Sequence, residues 1–148
     1  MRVSSRGRYG LAAMMIIAEY ADSNEAVTVI SISEKLGISK IYLEQVFALL
    51  KRAGLVTAIK GSQGGYRLAQ PPAAITALDI LQAVEHSLFE SAEESVLKNA
   101  PNIEEALQSD VFMALDTAVA DTLKKVTLVD LSAHAQRLRS DGGVMFYI

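Results

Sequence analysis

The 148-residue sequence predicts a mainly α-helical fold that carries one small β-hairpin. Apolar residues recur at helical spacing in several short segments before residue 85. One glycine-interrupted stretch, Leu55 to Ala69, alternates instead, and a long helical stripe begins at Ile103. The chain is 51% hydrophobic and 21% charged, a composition that buries a core. Its longest apolar run, Leu11 to Ala18, falls well short of the roughly 20 residues of a membrane span. The basic start is not followed by an adequate apolar stretch and cleavage site, so a cytoplasmic protein with no membrane partner is expected.

A first helix is predicted from Ser5, where Leu11, Met14, Met15, Ala18 and Ala21 share one face until Asp22-Ser23-Asn24-Glu25 ends the pattern. Ser31 and Glu34 have capping-box spacing, which predicts a short second helix closed by Gly37. Ser39 opens a third. There Leu43, Val46, Phe47 and Leu50 line one face, while Lys40, Glu44, Gln45, Ala48 and Lys51 lie away from it, and Gly54 ends the helix. The pair around Leu36-Gly37-Ile38-Ser39 has the glycine-containing turn of a helix-turn-helix.

Leu55 to Ile59 and Tyr66 to Ala69 flank Lys60-Gly61-Ser62-Gln63-Gly64-Gly65, which predicts a hairpin stopped by Pro71-Pro72. Thr76 with Asp79 forms a second capping-box pattern, stapled by Ile75 and Ile80, for a fourth helix to about Val84. Residues 86–102 are polar and acidic and read as a linker. From Ile103, the residues Leu107, Val111, Ala114, Leu115, Ala118, Thr122 and Val126 sustain helical spacing over roughly 36 Å. Thr127 and Asp130 repeat the capping pattern and start a last short helix to about Leu138. Ser140-Asp141-Gly142-Gly143 then precedes an apolar end.

The expected organisation is a winged helix-turn-helix DNA-binding domain at 1–85, a linker at 86–102, dimerisation helices at 103–138 and an apolar tail at 139–148. The long stripe exceeds what a hairpin and four small helices can cover. A homodimer contact is therefore expected ahead of an intrachain core helix.

Charge is divided along the chain. Residues 1–70 hold nine Lys/Arg against five Asp/Glu, and residues 71–148 five against twelve, so a basic half precedes an acidic one despite the formal net charge of −3. Only the first half suits a polyanion. A helix-turn-helix offers the start of its second helix to the major groove, here Ser39, Lys40 and Tyr42, with Glu44 and Gln45 one turn on. Gln45 can pair with adenine, Glu44 can accept from cytosine N4, and Ser39 or Tyr42 can bond to phosphate or base. In the hairpin tip, Gly61, Gly64 and Gly65 permit close backbone approach, with Ser62, Gln63 and Tyr66 beside them and Lys60 and Arg67 supplying charge. The alternative is an ordinary solvated cationic face on a flexible turn.

Other chemistries are poorly supplied. With no cysteine there is no disulfide, thiolate nucleophile or thiolate-held metal. His86 and His134 lack partners at ligand spacing, the glycine-rich tip lacks the lysine and hydroxyl of a nucleotide loop, and Glu93, Glu94, Glu104 and Glu105 suit a linker and a helix start. No enzyme, metal or cofactor is expected.

Arg6-Gly7-Arg8-Tyr9-Gly10, Tyr42-Leu43-Glu44-Gln45, Gly54-Leu55-Val56 and Lys60-Gly61-Ser62-Gln63-Gly64-Gly65-Tyr66 resemble, in order, the signature segments of the Rrf-two (Rrf2) family of bacterial winged-helix regulators. The resemblance covers about residues 1–85 and continues weakly through Thr76 to Ile80. It implies a homodimer with crossing long helices on a pseudo-palindromic duplex operator, Tyr42, Glu44 and Gln45 in the recognition helix, and Lys60 to Tyr66 in the wing. Members that sense iron–sulfur clusters or nitric oxide carry three cysteines after the fourth helix. This chain has Ser87-Leu88-Phe89-Glu90-Ser91-Ala92 and onward there.

The cysteine-free linker and the ending Met145-Phe146-Tyr147-Ile148 resemble the cysteine-metabolism repressor branch of that family. That resemblance implies a protein co-regulator, O-acetylserine sulfhydrylase (cysteine synthase), whose active site can take a carboxy-terminal isoleucine such as Ile148. Packing of Phe146, Tyr147 and Ile148 on the sister subunit is the other reading of the tail. Two further functions stay open: a one-component sensor of a small molecule, and a winged-helix protein-interaction module without DNA binding.

Overall fold

The computed structural model describes residues 3–85 and 94–145. Helix α1 (Ser5–Ala18) is capped by Ser4, whose hydroxyl accepts from the Gly7 N–H, and α2 (Val29–Leu36) and α3 (Lys40–Arg52) form the helix-turn-helix. Strands β1 (Val56–Ile59) and β2 (Gly65–Leu68) pair antiparallel with Val56 opposite Leu68 and Ile59 opposite Gly65. A short 3₁₀ turn, Pro72–Ala74, leads into α4 (Ala77–Val84). Beyond it come α5 (Glu94–Asn99), α6 (Pro101–Leu107), a π-helical turn at Gln108–Phe112, α7 (Met113–Lys124) and α8 (Leu128–Met145). The mainly helical fold with a two-stranded hairpin is the one the sequence predicts.

Local chemistry explains most of the boundaries. Thr76 and Asp79 exchange the two hydrogen bonds of a capping box, at 3.2 and 2.9 Å, with Ile75 and Ile80 buried as the flanking pair. The second helix departs from expectation. Its cap is Thr28, whose hydroxyl accepts from the Ser31 N–H at 3.1 Å; the Ser31 hydroxyl donates back to the Thr28 carbonyl, and the helix starts at Val29. Thr28 precedes Ser31 by one turn and starts the helix there, so the N–H groups that Ser31 would have capped are already bonded within the helix, leaving Glu34 without a capping role.

Phe47, Met14, Ile17, Ile32, Leu43 and Leu50 are fully buried where α1, α2 and α3 meet. The C-terminal helices are not appended to this core from outside. Leu128, 0% exposed, belongs to it, and two backbone hydrogen bonds, Ala77 N–H to Val126 O and Leu128 N–H to Ile75 O, knit its neighbourhood to the start of α4 as an antiparallel bridge between Thr76 and Thr127. Physical contact therefore crosses the division expected near residue 85. At the other end of α4, the Glu85 carboxylate accepts from both the N–H and the hydroxyl of Ser4, at 3.0 and 2.6 Å, tying it to the first turn of α1.

The segment read as a linker is helical where it is described, in α5 and the start of α6, and residues 86–93 lie outside the described residues. Helix persists from Pro101 to Lys124 as expected, with a π turn inside it. That turn accommodates an extra residue, which keeps Ile103, Leu107, Val111 and Leu115, each four apart, nearer one face than a straight α-helix would. All four are exposed, as is Met113.

The last helix is longer than expected. It continues through Ser140, Asp141, Gly142 and Gly143 to Met145, because two glycines cost a helix only about 1 kcal/mol each and do not stop one already propagating. Part of the segment read as an apolar tail is thus helix, and Phe146, Tyr147 and Ile148 lie outside the described residues. Glu19, the residue that caps the end of α1, meets Arg139 of α8 at 3.7 Å and Lys35 of α2 at 3.2 Å.

Candidate nucleic-acid interface

The third helix divides as its sequence pattern requires. Leu43, Val46, Phe47 and Leu50 are buried, which turns Lys40, Ile41, Glu44, Gln45 and Ala48 to solvent. Ser39 caps the helix, its hydroxyl accepting from the Tyr42 N–H at 3.4 Å while its own proton is left for another acceptor. Lys40 Nζ and Glu44 Oε1 lie 3.8 Å apart on side chains that are each 53% exposed. Such a pair is weakly held, and lysine preceding glutamate is the less favourable order along a helix, so Glu44 can leave it for a base edge at little cost.

Tyr42 is half-buried, and its ring meets Tyr9 of α1 edge-on with centroids 5.5 Å apart. This contact holds the N-terminal part of α1 beside the third helix. Arg8 in that part is exposed and is a candidate that sequence reasoning passed over; Arg6-Gly7-Arg8 was visible only as part of a family-like segment. Ile41, 70% exposed, was passed over too, because a lone exposed aliphatic residue leaves no periodic signal.

The wing brings together Lys60, Gly61, Ser62 and Gln63, all exposed, at one tip. Gly61, with φ +106°, has open space around it. Gly64 and Gly65 answer to the protein instead. A β-carbon on Gly64 would strike the carbonyls of Ile59 and Gly61, and one on Gly65, where φ is +147°, would strike the Val27 carbonyl. That closeness lets Val27 exchange two 2.8 Å hydrogen bonds with Tyr66, adding a third extended segment to the hairpin.

Tyr66 likewise faces inward. Its ring stacks on Phe47 with centroids 4.5 Å apart, joining the wing to the recognition helix. Arg67 is half-buried, and neither it nor Lys60 forms an ion pair among the described residues. The structure therefore groups Ser39, Lys40, Glu44 and Gln45 on one exposed face and Lys60 to Gln63 on one tip, while Gly64, Gly65 and Tyr66 serve the wing's construction.

Among the described residues, no three His, Asp or Glu side chains converge to hold a metal ion, and no helix is long and apolar enough to cross a membrane. Glu104 is buried on α6, where its Oε1 accepts from the Gln108 side chain at 2.7 Å.

The Rrf2 family model, described as an iron-dependent transcriptional regulator, matches residues 3–134. Iron held by thiolates does not fit a chain without cysteine. The chain is 34% identical to the HTH-type transcriptional regulator CymR of Bacillus subtilis over 148 residues, all of both chains. It is 43% identical over 89 residues to the HTH-type transcriptional regulator IscR of Cereibacter sphaeroides, a match covering 60% of this chain and 57% of that one. It thus spans little more than half of that relative's length. A solved structure of CymR, described as the global cysteine regulator of B. subtilis, superposes with a TM-score of 0.74 at 32% identity, covering 90% of this chain and 98% of that one. These relatives are transcriptional regulators, not enzymes. A family match over most of its length and a relative aligned from end to end place this chain in the Rrf2 family of transcriptional regulators.

Proposed function

We propose that the chain is a sequence-specific DNA-binding regulator that acts as a homodimer on a pseudo-palindromic operator. The observation that carries the reading is the exposed face of α3, where Ser39, Lys40, Glu44 and Gln45 stand clear of the core beside a cationic wing tip. Glu44 and Gln45 read base edges from the major groove, while Lys40, Lys60 and Arg67 bind phosphates and set affinity rather than sequence. Residues 1–85 supply this surface. Residues 103–138 supply the dimer contact, supported by the exposed stripe of Ile103, Leu107, Val111 and Leu115. Two copies related by a twofold axis would cover that stripe and set the two recognition helices about one DNA turn, roughly 34 Å, apart.

The finer reading is repression of cysteine or sulfur metabolism genes. Its support is the full-length likeness to CymR and the absence of cysteine ligands for a cluster. In this reading O-acetylserine sulfhydrylase is the co-regulator and Phe146, Tyr147 and Ile148 its docking segment. Selection of duplexes from a random pool by the full-length protein, followed by titration at several salt concentrations, tests the DNA reading; retention of no duplex at low salt overturns it. Titrating the sulfhydrylase against the full chain and a chain lacking Ile148 tests the co-regulator, and equal affinity removes the tail from it.

A further inference from the structure

We propose that Ile41 reads the 5-methyl group of a thymine, making it a specificity-determining residue of the recognition helix. This rests on the DNA reading above. Ile41 is 70% exposed, more than any other large apolar side chain among the described residues, and it stands at the second position of α3, where a groove-entering helix first reaches base edges.

Folding gives no reason for it to be there. A β-branched residue loses side-chain freedom in a helix, and this one recovers nothing from the core. Its neighbours on the same helical face are Glu44 and Gln45 one turn on and Ala48 two turns on, all exposed. The other large exposed apolar side chains, apart from Tyr20, Ile30 and Leu97, lie within residues 103–138, assigned to the dimer contact. Ile41 instead sits between Lys40 and the base-reading pair, a setting too polar for a protein-docking patch and suited to one small apolar target.

In the major groove, thymine is the base that offers such a target. It presents a methyl group beside its O4 acceptor, whereas cytosine offers an amino donor and no methyl. Packing the Ile41 side chain on that methyl removes apolar surface of both from water. Glu44 and Gln45, offset along the helix, would then meet neighbouring base pairs, so the three side chains read successive steps of one half-site.

The test uses the duplex that the full-length protein selects from a random pool. Each thymine is replaced singly by deoxyuridine, which lacks only the methyl. Binding is expected to weaken about fourfold at one thymine per half-site, the factor corresponding to one buried methyl group. Ile41→Ser is expected to lose the response to uridine at that position while keeping its salt dependence and its preferences elsewhere. Ile41→Val is expected to retain it. An even response across all thymines, or an unchanged response in Ile41→Ser, overturns the assignment to Ile41 and leaves the DNA reading standing. Failure to select any duplex overturns both.

Discussion

The ring of Tyr66, on the second strand of the wing, lies nearly parallel to that of Phe47 on the recognition helix, 16° from coplanar with centroids 4.5 Å apart. The two parts of the candidate interface therefore share one aromatic joint. Tyr66→Phe should keep the stack, and with it both the unfolding midpoint and the DNA affinity. Tyr66→Ala should cost about 2–3 kcal/mol of stability, measured by urea denaturation. A loss of DNA affinity in Tyr66→Phe without a loss of stability would show that the hydroxyl contacts DNA after all.

Base-reading and phosphate-binding side chains should separate experimentally. Gln45→Ala should relax preference at one position of the selected sequence, costing about 1–3 kcal/mol of discrimination. Lys60→Ala should weaken all duplexes alike and reduce the slope of log affinity against log salt by about one. An unchanged slope in Lys60→Ala would remove Lys60 from the phosphate contacts.

Asp130 supplies a defined pH dependence. Its carboxylate accepts from the Thr127 N–H at 3.0 Å, and its own N–H donates to the Thr127 hydroxyl at 3.2 Å. Hydrogen bonding to the carboxylate from the Thr127 backbone first, and from the Thr127 side chain second, holds its pKa below the ordinary 3.8. The unfolded chain thus takes up this proton before the folded one does as pH falls. The cap's contribution is complete above the ordinary value and drains away as pH drops through the depressed one. Asp130→Ala should narrow its stability gap to the parent as the solution is acidified, a trend that denaturation series at neutral and acid pH would reveal; a constant gap would argue against the linkage.

The exposed stripe gives an assembly prediction. Leu115, 56% exposed, lies in register with Ile103, Leu107 and Val111. Leu115→Glu should shift the protein to monomer in sedimentation equilibrium while leaving its helix content intact. It should also lower affinity for a two-half-site duplex by about a hundredfold or more, since the second half-site is no longer engaged by a tethered partner. A dimer that survives this substitution would place the contact elsewhere.

Legibility followed the range of the interactions involved. The third helix, the hairpin and the Thr76–Asp79 and Thr127–Asp130 caps were readable because a turn or less of sequence determines each. The second helix began early because Thr28 and Ser31 both offer a capping hydroxyl, and spacing alone does not rank them. What stayed hidden was nonlocal. Val27 against Tyr66, Glu85 against Ser4, and Leu128 inside the N-terminal core each join positions far apart in the chain, and no periodicity records such meetings. For the candidate site, the exposed cationic and amide residues announced themselves by type. The inward turn of Tyr66 and the steric need for Gly65 did not, because each depends on what stands opposite.

The burial of Leu128 bears on how such a regulator can be taken apart. A fragment ending after the fourth helix would carry a vacancy where that side chain belongs, and filling cavities of this kind is worth about 2–5 kcal/mol. The reading head is therefore no detachable module. A torque applied to the last helix would reach, through Leu128 itself, the same packing that aims the third helix.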